Sequence, residues 1–331
     1  MPTKAVGIAA AAGALTFAAL LSLAVGARSI PLGDVVDALR GGGGNTQDTA
    51  IVLDLRVPRT LLGIAAGASL GLAGALMQSL TRNPLADPGL LGINAGAAAA
   101  VVIAIGLLGL SGTTAYVWLA FLGAGVAAVA VYLVGAAGRG GATPVRLALA
   151  GTAVSAALTA VIYGIVLTDP LLLQKYNLWS VGGLGGRGRT DLSGVIPFMV
   201  LGAAGVLLLA RPLNALAMGE ESARALGARV GAARLGGAAA ITLLCGAATA
   251  ACGPIYFLGL VVPHAARAIC GPDVRWVLAY SALLGAALLL VADVLGRVLV
   301  APQELQAGLM LAFVGAPLFI AIVRRRRIPA L

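Results

Sequence analysis

Charge is what this sequence has least of. Only 10% of its 331 residues are Asp, Glu, Lys or Arg, 60% are hydrophobic, and the mean hydropathy is +1.02. A water-soluble domain carries roughly 25% charged residues, so there is too little polar surface here to face water on every side. Histidine is nearly absent. The single His264 has no second histidine or nearby carboxylate to share a metal with. Three cysteines, Cys245, Cys252 and Cys270, sit in or beside apolar runs without a CxxC spacing, and read as small buried hydrophobes.

Chemical motifs are missing too. There is no GxxxxGK[ST] loop, no HExxH and no GxSxG elbow, so neither P-loop nucleotide binding nor these hydrolytic chemistries is expected. No catalytic residue and no metal site is assigned. No carboxylate pair lies within an apolar run, and Asp293 is the only acidic residue inside one. Proton- or sodium-driven transporters depend on buried ionisable groups, so a stand-alone secondary transporter is poorly supported.

What is present is a series of apolar runs, at about 5–26, 60–80, 89–110, 113–137, 147–168, 192–210, 235–252, 254–271, 276–300 and 305–323. Each approaches the ~20 residues that a helical span requires. The alternating pattern of a membrane β-barrel is absent. The first run, 22 residues long, exceeds the 7–15-residue core of a signal peptide and reads as a first transmembrane helix. The 47 glycines and abundant alanines suit closely approaching helices in lipid. The expectation is an all-α membrane protein of about ten transmembrane helices, one transmembrane domain over residues 1–331. Tight connections at 111–113 and 252–254 predict antiparallel neighbours.

The net charge of +10 is scattered between spans, which points to membrane orientation rather than nucleic acid. With the N-terminus inside, fourteen cations fall on the cytoplasmic side, Lys4, Arg82, Arg139, Arg146, Arg211, Arg224, Arg229, Arg234, Arg267, Arg275 and Arg324–Arg327. Eight fall outside, among them Arg28. The positive-inside rule then predicts both termini in the cytoplasm. The halves echo each other. Ala65–Gly96 and Ala238–Arg267 each read as a small-residue helix, a Pro-broken segment and a further apolar run. This is either an inverted repeat of two five-helix halves or the accidental self-similarity of Ala/Gly-rich sequence.

Four polar stretches interrupt the runs. In Arg211–Arg234, Pro212 is expected to open a turn, and Glu220-Glu221 to start a short helix with Arg224 towards its end, as the helix dipole favours. It reads as a handle for a soluble partner or as a plain solvated loop. Asn83-Pro84-Leu85-Ala86-Asp87-Pro88 loses backbone donors and helix propensity at its two prolines, and reads as a pore-lining segment with Asn83 as a constriction, or as a surface turn. Arg56 and Arg59 in LRVPRT, with Arg297, are expected at the outer ends of their spans, where exposed cations either steer an external partner or snorkel. Asp169–Asp191 carries Tyr176, Trp179 and the Gly182-Gly183 hinge, a mobile outer gate or a pair of interfacial anchors. The Gly41–Gly44 run is flexible punctuation.

RVPRTLLGIAAGASLGLAGALMQSLTRNPLADPGLLGINAGA resembles the early segment of FecCD/BtuC-type permeases, the membrane subunits of type II ABC importers for ferric siderophores, haem and vitamin B12. GEESARALG, GPIYFLGLVVPHAAR and ELQAGLMLAFVGAPLFIAIVRRR resemble the later family segments in the same order. The resemblance implies ten helices per subunit in the cytoplasmic (inner) membrane of a bacterium. It also implies a second permease subunit, identical or homologous, two ATP-binding subunits that hold ATP and Mg, and an extracytoplasmic binding protein. A ferric siderophore is the expected cargo, with haem or vitamin B12 as alternatives. Carried over residue by residue, it implies ATPase coupling by Gly219, Glu220, Glu221, Ser222, Ala223, Arg224, Leu226 and Gly227. Binding-protein docking falls on Arg56, Arg59 and Arg297, a cytoplasmic gate on Asn83 and Leu85, and an outer gate on Tyr176, Trp179, Gly182 and Gly183.

Overall fold

The computed structural model describes every residue except 1, 27–29, 42–45, 111–112, 138–142, 188, 226, 302 and 325–331. Of the residues singled out above, Leu226, the glycines at 42–44, the 111–112 connection and the cations Arg28, Arg139 and Arg325–Arg327 lie outside that set.

Among the described residues the chain is helical and has no strand. Helix α1 (Pro2–Ala24) is followed by short α2 (Leu32–Leu39) and α3 (Thr46–Ala50), then a wide π turn, Ile51–Arg56, which runs directly into α4 (Val57–Thr81). After a 3-10 turn at Pro88–Leu91 come α5 (Ile93–Gly106), α6 (Thr113–Ala136), α7 (Pro144–Val166) and α8 (Pro170–Ser180). The second half holds α9 (Arg189–Ala217), short α10 (Glu220–Ala225), α11 (Val230–Cys252), α12 (Leu258–Cys270), α13 (Val274–Leu299) and α14 (Ala307–Arg324).

Among the described residues, seven helical stretches are long and apolar enough to cross a membrane: α1, the continuous 47–81 stretch, α6, α7, α9, α11 and α13. The other three expected spans are shorter helices, of 14 residues in α5, 13 in α12 and 15 apolar residues in α14. The first two are short for a visible reason. Before α5, Pro84 and Pro88 remove donors and Gly92 turns left-handed at φ +71°. Before α12, Gly253 (φ +76°), Pro254 and Phe257 (φ +67°) delay the helix until Leu258. The apolar runs continue through these breaks, so hydropathy alone overestimates the helices.

Two other expectations are corrected. Pro212 opens no turn; α9 continues through it to Ala217. The second span does not begin near residue 60, because the π turn joins α3 to α4 in one helical stretch.

The central helices are α4 and α11, which pack on each other. Helix α4 also contacts α9, α12 and α13, and α11 contacts α5, α6 and α9. Their most apolar stretches are 78% and 67% buried, against 17% in α1, which is peripheral and leans on α13. Small residues make this possible. At the α4–α13 crossing a Cβ on Gly71 would overlap the Ser281 carbonyl, and one on Gly67 would overlap the backbone at Gly285. Backbones this close gain dispersion contacts that larger side chains would forfeit. The three cysteines are buried and unpaired.

Candidate functional site

At the end of the bundle where α1 and α13 finish, five charged residues and two hydroxyls form one network. Helix α1 has no basic residue in its last turn, so its terminal carbonyls need donors from elsewhere. Arg56 Nη1 donates to the Leu23 and Ala24 carbonyls, both at 2.7 Å. Arg297 Nη1 donates to the carbonyls of Ser22 (3.1 Å) and Val25 (2.8 Å), and its Nη2 to Ser22 Oγ (3.0 Å). Ser22 Oγ in turn lies 2.8 Å from Thr60 Oγ1. Asp293 pairs ionically with Arg297 Nη2 at 3.1 Å and accepts from Arg59 Nη2 and Nε at 2.9 and 3.0 Å. Arg59 Nη1 reaches Glu304 Oε2 at 2.8 Å.

The arginines do not share one environment. Arg56 is 5% exposed and Arg297 2%, so the expectation that both stand as exposed cations is corrected: the carboxyl end of α1 covers them. Arg59 keeps 15% side-chain exposure. It borders a cavity of about 290 Å³ that Glu304, Arg187 and the Gly183–Gly186 backbone also line.

The expected outer-gate segment is stitched down beside this network. Gly183 N donates to the Cys252 carbonyl (2.7 Å), Gly308 N to the Gly182 carbonyl (2.9 Å), and Gln306 Nε2 to the Leu178 carbonyl (2.9 Å). Gly182 has φ +71°, and a Cβ there would overlap the Pro254 carbonyl. Trp179 is buried, and Tyr176 packs edge-on to Tyr163 with ring centroids 6.4 Å apart.

At the end of α4, Asn83 and Leu85 fold into a local turn. Asn83 Oδ1 accepts from Leu85 N (3.0 Å), and its carbonyl from Ala86 N (3.1 Å). Asp87 caps the 3-10 turn by accepting from Gly89 N at 2.8 Å. Burial pushes its carboxyl above the ordinary range, partly offset by that hydrogen bond. Asn83 is exposed. The polar residues that reach across the bundle are others. Gln78 Nε2 donates to the Leu260 carbonyl (3.2 Å), and Gln78 Oε1 accepts from Arg267 Nη1 (2.6 Å). Thr249 Oγ1 donates to Asn94 Oδ1 (2.9 Å). Each short helix after a break is thus held by a polar residue on a central helix, α12 by α4 and α5 by α11. The sequence pattern singled out none of Gln78, Thr249 and Asn94, and used Arg267 only as a cytoplasmic cation. The one available signal was a lone Gln or Thr inside an otherwise apolar helix, where a side chain must find a partner.

Helix α10 starts at Glu220, as the charge pattern predicted. Gly219 takes φ +114° and its carbonyl accepts from Ala223 N at 2.9 Å. Glu220 joins Arg224 (2.6 Å) and Arg234 of α11 (3.0 Å). Ala223 is fully buried and anchors the helix, while Glu221, Ser222, Arg224 and Gly227 are exposed. Asn214, near the end of α9, donates to Asp273 (3.1 Å) and accepts from Val274 N (3.0 Å), which fastens α9 to the start of α13.

A bundle of long apolar helices with broken partners, and a short helix projecting from one end, is the architecture of a multi-pass membrane permease. By sequence the chain belongs to the FecCD transport family, whose model matches residues 14–325. It is 47% identical over 325 residues to the ferric enterobactin transport system permease protein FepD of Escherichia coli, covering 98% of this chain and 96% of that one. Hemin transport system permease protein HmuU of Yersinia pestis is 41% identical, with 84% of each chain covered. In structure it matches an inward-facing transporter assigned to the metal-chelate ABC type, with a TM-score of 0.83, 25% identity, and 96% and 98% of the two chains covered.

Proposed function

We propose that this chain is the permease subunit of an ABC importer that carries a ferric siderophore inward across the cytoplasmic membrane of a bacterium. The observation that carries this reading is the full-length identity to a ferric enterobactin permease, supported by 40% identity to the probable siderophore transport system permease protein YfiZ of Bacillus subtilis. The subunit itself performs no chemistry; ATP and Mg belong to two separate ATP-binding subunits. A second permease subunit, identical or homologous, completes the pathway, and an extracytoplasmic binding protein delivers the cargo.

In this reading residues 1–331 form one domain that crosses the membrane ten times. Helices α5, α12 and α14 complete the crossings, in two inverted five-helix halves with both termini cytoplasmic. The α10 segment, Gly219–Gly227, docks into the ATPase, and its exposed Glu221, Ser222 and Arg224 are the contact side chains. Arg59, the arginine with exposed surface, receives an acidic group of the binding protein, while Arg56 and Arg297 hold the platform behind it. Asn83 and Leu85 belong to the inner gate, and Tyr176, Trp179, Gly182 and Gly183 to the outer one.

Uptake of radioactive iron on several siderophores, in cells with and without the gene, tests the cargo. Loss of one ferric siderophore is expected. A second reading, haem import, is favoured by the 41% identity to a hemin permease. Loss of haem uptake alone would replace the siderophore reading and keep the rest.

A further inference from the structure

Helices α4, α6 and α11, with Phe198 of α9 and Leu147 of α7, line a partly open cavity of about 1180 Å³, larger than most small-molecule pockets. Its walls are hydrocarbon with few polar interruptions, and Arg234 is the one charged lining residue among the described residues. On α11 the lining runs in a single stripe from Gly231 through Arg234 and Ala238 to Thr242, about 17 Å at 1.5 Å per residue. On α6 it runs from Trp118 to Tyr132, about 21 Å by the same rise. The cavity is therefore a slot along the bundle, somewhat longer than half of a ~30 Å hydrocarbon core.

The two ends of the slot differ. One is closed by aromatic rings, with Phe198 packed against Phe121 (4.4 Å between centroids) and Trp118 (5.4 Å). The other holds Thr81, Tyr132 and Arg234, and exposed Arg82 and Arg146 adjoin its lining residues Thr81 and Leu147. Among the described residues Arg234 is bonded only to Glu220, through one N–H, of the five that a guanidinium offers.

We propose that this slot binds one anionic glycerophospholipid, its acyl chain lying between α6 and α11 and its headgroup phosphate on Arg234. A long apolar slot that ends in a cation fits a lipid and lacks the converging polar groups that orient a compact solute. A guanidinium matches phosphate geometry in two-point hydrogen bonds, and the flanking arginines favour an anionic headgroup. The same guanidinium holds Glu220, so the headgroup sits against the first turn of α10. The site requires only that the bundle lie in a bilayer, and it stands or falls apart from the choice of cargo.

Gly125, on the α6 wall, supplies the test. A Cβ there meets nothing within 4 Å, so Gly125→Trp starts its side chain in open space and directs an indole into the slot. Full-length protein in detergent is mixed with phosphatidylglycerol or phosphatidylcholine, and retained lipid is read by native mass spectrometry at rising collision energy. The wild type is expected to retain phosphatidylglycerol selectively, and added glycerol phosphate is not expected to displace it. Gly125→Trp loses the retained lipid with an unchanged melting curve in lipid-free detergent. Should that variant melt early, Gly125→Leu takes its place. Arg234→Gln lowers phosphatidylglycerol retention to the phosphatidylcholine level. Equal retention of both lipids by all three proteins overturns the proposal. So does a Gly125→Trp protein that keeps its lipid but loses self-association on cross-linking, which would make the slot a seat for a second copy of the chain.

Discussion

Arg59 on α4 grips Asp293 on α13 through two N–H groups, at 2.9 and 3.0 Å, across 234 residues of sequence. Asp293 is 1% exposed and also neutralises Arg297, itself 2% exposed. Removing one member of a buried ion pair strands the other charge, at a cost of about 3–5 kcal/mol. Asp293→Ala is therefore expected to lower the thermal unfolding midpoint in detergent clearly, and Glu304→Ala, which leaves the buried pair intact, hardly at all. Equal midpoints for the two variants would show that Arg297 finds compensation elsewhere.

Charge reversal should separate the arginines that sequence placed together. Arg59→Glu sets a carboxylate beside buried Asp293, which Arg297 still compensates, so it is expected to accumulate in the membrane at a reduced level yet lose far more binding-protein-dependent uptake than that reduction explains. Arg56→Glu puts a carboxylate against the Leu23 and Ala24 carbonyls and is expected to fail at assembly. Immunoblots of membranes beside uptake assays distinguish the two, and normal uptake by Arg59→Glu would refute the docking role.

At the α4–α13 crossing, Gly71→Val must push two backbones apart. Overpacking typically costs about 1–3 kcal/mol, and a backbone obstacle belongs at or above the top of that range. Gly164 of α7 has open space around its Cβ position, so Gly164→Val serves as the control and should leave the melting midpoint near wild type.

Helix α10 offers a similar contrast within one turn. Glu221→Lys changes an exposed residue and is expected to abolish co-purification of the ATPase subunits without moving the melting midpoint. Ala223→Leu enlarges a fully buried residue and should lower the midpoint. A stable complex with the Glu221→Lys protein would remove that residue from the coupling contact.

Composition and run length were enough to read an all-helical membrane chain, and the charge order around Glu220 to read the start of α10. The same signals failed where structure depends on partners distant in sequence. Pro212 has the look of a breaker, yet the helix absorbs it. Arg56, at the edge of an apolar run, looks exposed until α1 is packed over it. Gln78 and Thr249 look incidental because their partners, Arg267 and Asn94, lie 189 and 155 residues away. Periodicity carries local information only, and these side chains are placed by tertiary contacts.

The caps on α1 bear on the order of biosynthesis. Helix α1 leaves the ribosome well before α13, and the guanidinium that binds Ser22 and Val25 arrives with residue 297, 275 residues after Ser22. Until then two carbonyls at its carboxyl end lack these donors, and Arg297 lacks its acceptors until it reaches them. A segment translated well before α13 is thus completed only once α13 is in place, and a chain released before α13 is an unfinished product that membrane quality control has physical grounds to recognise.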